Sequence, residues 1–322
     1  MTSTQGPSGP TPPSRREEAS ASSTPTITTR MILALALPSL GALIAEPLFT
    51  VIDSTMVGHL GTPELAGLGV SSTVLNTTVG LFIFLAYSTT SLAGRHLGAG
   101  RRDLAIRSGV EAMWLAGGLG LVAAVLLTFF ASPLLTWLGA NEATMPHALG
   151  YLRASAPGLV GMFVVLAATG TLRGLQDTRT PLIAASVGAA FNAGANWLLM
   201  YPLGLGVAGS GLGTAITQAL MAFFLGCMIV RAARREGVSL RPSADGLFGA
   251  ALEGAPLLVR TLALRIALLA TLSAVTAIST QALAAHQIVW TLWTFAAYVL
   301  DALAIAAQAL AGFTTGTGER GA

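Results

Sequence analysis

Lysine is absent from this chain. All 17 basic residues among its 322 are arginine, set against 14 acids. Charged residues make up 10% of the sequence, whereas a soluble domain carries about 25%, so charge cannot cover a water-facing surface. The single cysteine, Cys227, lies in an apolar run, which excludes a disulfide framework and a cysteine metal cluster. There is no HExxH, P-loop, GxSxG or paired-aspartate metal motif, so no enzyme chemistry, bound metal or organic cofactor is expected. What is abundant is apolar or small: 53% of residues are hydrophobic and 37 are glycine, the mixture that lets helices pack closely in lipid. The net charge of +3 is spread over loops, so no nucleic-acid partner is expected. The chain reads as an all-α polytopic membrane protein whose first partner is the lipid bilayer.

Residues 1–30 are rich in Ser, Thr and Pro around Arg15-Arg16-Glu17-Glu18 and read as a disordered tail. They make a poor signal peptide, because no small-residue cleavage site follows a short apolar region. Eight apolar stretches come after the tail, at about 31–57, 68–94, 104–131, 146–170, 181–201, 207–231, 250–277 and 283–311, each long enough to cross a hydrocarbon core of about 30 Å. Arginines gather in alternate connections. Arg15, Arg16 and Arg30 precede the first span, and Arg95, Arg101, Arg102 and Arg107 follow the second. Arg173 and Arg179 follow the fourth, Arg231, Arg234, Arg235 and Arg241 the sixth, and Arg320 the eighth. The opposite loops, around 58–66, 132–145, 202–206 and 278–282, contain none. Basic residues stay on the cytoplasmic side, which predicts a multi-pass protein of the plasma (inner) membrane with both termini cytoplasmic.

The first two spans recur at an offset of 218 residues. Pro38 maps to Pro256, Leu65-Ala66 to Leu283-Ala284, Leu92-Ala93-Gly94 to Leu310-Ala311-Gly312, and Gly98 and Gly100 to Gly316 and Gly318. An offset of six spans predicts parallel repeats related by an axis along the membrane normal. The expected organisation is a tail over 1–30, a complete six-helix lobe over 31–238, and two helices of a second lobe over 239–322. On this reading the chain is truncated at its C-terminal side.

Ionisable groups inside lipid cost about 2.5–3.5 kcal/mol each on insertion scales, so each one calls for a reason. The first span carries Glu46 and Asp53, nearly two turns apart on one side, flanking Pro47, which cannot donate to the Leu43 carbonyl and predicts a kink. Two readings stand for Asp53: an acid that alternates between protonated and cation-bound forms, or an inert interfacial acid. Asn192 and Asn196, one turn apart on the fifth span, either bridge helices or offer their carbonyls to a cation. Thr214, within Gly211-Leu212-Gly213-Thr214, is either part of a packing surface or a hydroxyl ligand. Arg265 on the seventh span and Asp301 on the eighth are placed to pair across adjacent helices. Gln287 is a further polar candidate for the pathway.

Several segments resemble one family. Leu37-Pro38 and the run from Glu46-Pro47 through Asp53-Ser54-Thr55-Met56-Val57-Gly58-His59-Leu60-Gly61 look like the first helix of multidrug and toxic compound extrusion (MATE) transporters. Within that family the branch of the DNA-damage-inducible protein F is the most similar. Ala93-Gly94-Arg95-His96-Leu97-Gly98-Ala99-Gly100 resembles its exit from the second helix, and Arg173-Gly174-Leu175-Gln176-Asp177-Thr178-Arg179-Thr180-Pro181 its loop between helices four and five. Asp301 through Leu310 is similar to its eighth helix. The resemblance implies twelve helices in two alternating-access lobes that export amphipathic organic cations against protons or sodium. It further implies a cation or proton site built from Asp53, Asn192 and Thr214. The acid often found one turn after the asparagine is Asn196 here, which weakens the sodium reading more than the proton reading. Two other outcomes stay open: a flippase for lipid-linked precursors, whose cationic cavity only Arg260 and Arg265 would supply, and a truncated product without transport. Oligomeric state is left open.

Overall fold

The structure is a computed structural model that describes residues 29–278 and 280–316. Among the described residues there is no strand. The helices are α1 (Thr29–Gly58), α2 (Thr62–Leu81), α3 (Phe84–Gly98), α4 (Arg102–Trp137), α5 (Met145–Ser155), α6 (Gly158–Gly174), α7 (Arg179–Met200), α8 (Gly206–Arg235), α9 (Ala244–Ile278) and α10 (Thr280–Gly316). The expected tail, residues 1–28 above all, lies outside the described residues.

Among the described residues six spans are long and apolar enough to cross a membrane, and a seventh is made by α5 and α6, which meet at a 51° bend. The second span is α2 and α3 together, interrupted by a turn at Phe82–Ile83. The first of the eight expected spans corresponds to α1, 30 residues of continuous helix that open on the apolar stretch Thr29–Ile44. Despite Pro38 and Pro47, α1 runs on as helix through to Gly58.

Local chemistry explains the boundaries. Proline occupies the first turn of α2 and of α5, where its missing N–H is no loss. Asp177 gathers the amides of Arg179 and Thr180, at 3.1 and 3.0 Å, as α7 begins. Gly100 takes φ +72° in the turn into α4, a conformation that favours a residue without Cβ. Hydroxyls inside the spans bond back to their own helices, as Thr89 does to the Leu85 carbonyl and Thr90 to that of Ala86. In lipid such a bond meets a hydroxyl's need for a partner without water.

Helices α4, α6 and α8 form the centre, with α3 and α7 packed on them. Glycine sets the closeness of α6 and α8: a Cβ at Gly158 would stand 2.8 Å from the Ala215 Cα, and one at Gly161 2.7 Å from the Gln218 carbonyl carbon. At the arginine-rich end, α10 lies on α3 and α1. There Ala306, Ala309 and Leu310 join Leu35 and Ala36 in one apolar cluster. The repeat-related glycines meet: a Cβ on Gly94 would be 3.4 Å from the Gly312 Cα, and one on Gly312 3.3 Å from the Gly94 Cα. One turn on, a Cβ at Gly98 would overlap the Phe313 carbonyl.

Because that obstacle is backbone, Gly98→Ala is expected to cost about 1–3 kcal/mol, read as a lower melting temperature of the detergent-solubilised protein. Gly69→Ala, which meets open space, is expected to leave the melting temperature unchanged or slightly raised.

Candidate cation-binding site

The polar stripe on α7 and the polar stripe on α8 face each other across α1. Asn192 and Asn196 are one turn apart on α7, while Ser210, Thr214 and Thr217 recur at helical spacing on α8. The two helices approach closely because Gly209 has no side chain: a Cβ there would lie 2.8 Å from the Leu199 carbonyl carbon. Gly213 plays the matching part at the site itself, since a Cβ would overlap the Asn196 amide oxygen.

Asp53 of α1 enters between these stripes. It is 6% exposed, and its Oδ1 accepts hydrogen bonds from Asn196 Nδ2 at 2.9 Å and from the Ser210 hydroxyl. Asn196 Nδ2 also donates to Asn192 Oδ1 at 2.9 Å, and Asn192 Nδ2 donates to the Thr217 hydroxyl at 3.3 Å. Thr217 in turn donates to the Gly213 carbonyl at 2.8 Å. Helices α7 and α8 thus each send one donor to a single carboxylate oxygen. Among the described residues Oδ2 receives no hydrogen bond. A further buried oxygen, Asn196 Oδ1, also lacks a hydrogen-bond partner, while the Thr214 hydroxyl lies against the Tyr151 phenol. An orphaned buried acceptor costs about 1–3 kcal/mol, so Asn196 Oδ1 is open to a donor such as water.

Asp53 and Thr214 line a cavity of about 230 Å³ together with Asn76, Gln218, Met221 and Tyr151. Tyr151 is buried there and lies within reach of the Asp53 charge. The structure thus brings together Asp53, Asn192, Asn196 and Thr214, four residues singled out in the sequence. It adds Ser210 and Thr217, whose spacing with Thr214 was the available signal, and Tyr151, for which none was evident. Among the described residues no three His, Cys, Asp or Glu side chains cluster for a metal.

The other candidates fall elsewhere. The charge acting on Asp301 is Arg260, and Asp301, Arg173 and Arg260 all act on Tyr87. Arg265 does not take the expected place beside Asp301: its guanidinium packs at Gly80, near the break in the second span. Five residues of helix rotate the two arginines by about 140°, which sends Arg265 toward Gly80 and Arg260 toward Asp301. The side chains of Glu46 and Gln287 lie outside the described residues.

An all-helical bundle with one acid held between its first, fifth and sixth spans has close relatives. The MatE family profile matches residues 38–198, half of the chain. Protein DETOXIFICATION 44, chloroplastic, of Arabidopsis thaliana is 33% identical over 302 residues, 89% of this chain and 57% of that protein. DNA damage-inducible protein F of Escherichia coli is 30% identical over 287 residues, 86% of this chain and 62% of that protein. A crystal structure of MATE in the bent conformation shares the fold with a TM-score of 0.80 at 23% identity, over 89% of this chain and 65% of that one. The chain belongs to the MatE family. It spans between 57% and 65% of the length of these relatives.

Ser210→Ala removes one of the two donors to a buried carboxylate and is expected to destabilise the protein by about 1.5–3 kcal/mol. The check is a double-mutant cycle in thermal unfolding. With Asp53→Asn in the background the loss should fall to less than half, whereas equal losses in both backgrounds would break the link between Ser210 and Asp53.

Proposed function

We propose that this chain carries the ion-coupling half of a secondary active exporter for amphipathic organic cations, driven by protons entering at Asp53. One observation supports the reading above the others: a buried carboxylate keeps one oxygen bonded to an amide and a hydroxyl and turns the residue toward a cavity. Such an arrangement holds the side chain in place in either charge state, so a proton can come and go without the site collapsing. The membership in a family whose relatives include proteins named for multidrug resistance agrees with it.

The cavity bears on the division of labour. At about 230 Å³ it is smaller than the roughly 300–1,000 Å³ of pockets for drug-sized ligands. We therefore assign it to the coupling ion and to the closed form of the substrate space. On this proposal, charging Asp53 draws water or substrate cation inward, and protonation lets α1 settle near Pro47 and expel it. Met162 and Met221 on the walls supply the adaptable apolar surface that varied substrates require. The arginine-rich end faces the cytoplasm in this scheme, with both termini inside the plasma membrane.

A proton suits this donor set better than sodium. Asn196 stands where a second carboxylate would complete a cation cage, and a single acid with two neutral oxygens offers a sodium ion little charge.

Two variants test the reading. Asp53→Asn, which keeps an acceptor for Asn196 and Ser210, is expected to express normally and to lose gradient-driven efflux from proteoliposomes by at least about tenfold; efflux retained at the original rate would remove Asp53 from the mechanism. Asn196→Asp places two carboxylates side by side, so sodium should then raise the melting temperature by mass action, while the unaltered protein should respond to pH and not to sodium.

A further inference from the structure

The connection between α8 and α9 is tied to α4 at three successive points. Arg102 Nε lies 3.3 Å from a Glu236 carboxylate oxygen. Trp114 Nε1 donates to the Leu240 carbonyl at 3.0 Å. The Ser243 hydroxyl donates to Glu111 Oε1 at 2.7 Å, and the same hydroxyl accepts the Gly246 amide at 3.1 Å, which caps α9. Arg107 Nε reaches Glu111 Oε1 from the other side at 3.3 Å.

These ties are unequal. The Arg102–Glu236 pair is largely exposed and adds little. Glu111 is different: it is only 8% exposed, and a Cβ on Gly246 would overlap its carboxylate, so the first turn of α9 is seated directly on it. A negative charge at that spot also suits the positive end of the α9 dipole. Between the ties, Val238 and Leu240 pack onto the apolar cluster that contains Ile106 and Val110 of α4. The segment is exposed over much of its length, and these side-chain bonds and the Val238 and Leu240 contacts are what strap it to α4.

We propose that Glu111 is a positioning residue that pins the start of α9 to α4, making the connection after the sixth span a fixed pivot. Motion of the last two spans then begins further along α9, where Pro256 removes a backbone bond from the helix interior. The functional consequence rests on the exporter reading given above; the pin itself does not.

The experiment has two arms, both with Cys227→Ser to clear the single native thiol. In the first, a spin label on Ser239→Cys, an exposed position of the strap, reports local mobility by its EPR line shape. The label should be immobilised in the otherwise unaltered protein and at least threefold more mobile with Glu111→Ala, and likewise with Ser243→Ala, which removes the bond and the α9 cap but leaves the Glu111 carboxylate under Gly246. Equal mobility in all three proteins overturns the pin. In the second arm, Glu111→Cys with Ser243→Cys is oxidised to a disulfide in proteoliposomes. Efflux within twofold of the unaltered protein supports a fixed pivot, and arrest that a reductant reverses overturns it by showing that the contact must open. Absence of efflux from the unaltered protein would count against the exporter reading alone, and the first arm would still decide the pin.

Discussion

The bond from Asn196 to Asp53 joins α1 to the pair of helices, α7 and α8, that receives its carboxylate. A carboxylate in the low-dielectric interior cannot stand without donors, and lipid offers none. Everything near the site is arranged to bring donors to it. Gly209 lets α8 lie against the end of α7, Gly213 clears the volume that the Asn196 amide fills, and the one-turn spacing on both helices aims their polar groups at one point. The remaining bundle can be read as the support for that approach, with α6 held so close to α8 that its glycines touch backbone.

Much of this was legible in the residues. Helical spacing placed Asn192 over Asn196, and the expense of an acid in an apolar span marked Asp53 ahead of any contact. The arginine pattern separated the two ends of the bundle, and the two Leu-Ala-Gly runs at 92–94 and 310–312 contain the glycines that meet. Other features were not legible, for physical reasons. Ser210 and Thr217 were not singled out, because hydroxyls in lipid-embedded helices usually bond to their own backbone, and only the rotation of α8 shows that Ser210 does otherwise. The break at Phe82–Ile83 carries no proline or glycine, and the space it leaves is filled by the Phe82 ring at 4.5 Å from that of Phe163, a contact between residues far apart in sequence. The partner of Asp301 depended on helix rotation, which adjacency of spans does not determine.

The charges away from the site obey a different rule from Asp53. Arg173 is buried with Nε unpartnered, and it shares the field around Tyr87 with Arg260 and Asp301. These groups come from α3, α6, α9 and α10, so they sit where the first six spans meet the last two. Asp53, by contrast, draws all its partners from within the first six. The partners of Asp53 and the groups at the joint between the first six spans and the last two are therefore separate sets of residues.

The meeting of Gly94 with Gly312 has a consequence for which surfaces can slide. A Cβ on either glycine would stand 3.3–3.4 Å from the other's Cα, so the two backbones lie in contact with no side chain between them. One turn further along, Gly98 rests on the Phe313 carbonyl, where a side chain would have to displace main chain. Along this line α3 and α10 have no flexible group to give way, and they can part or move together more easily than they can rotate against each other.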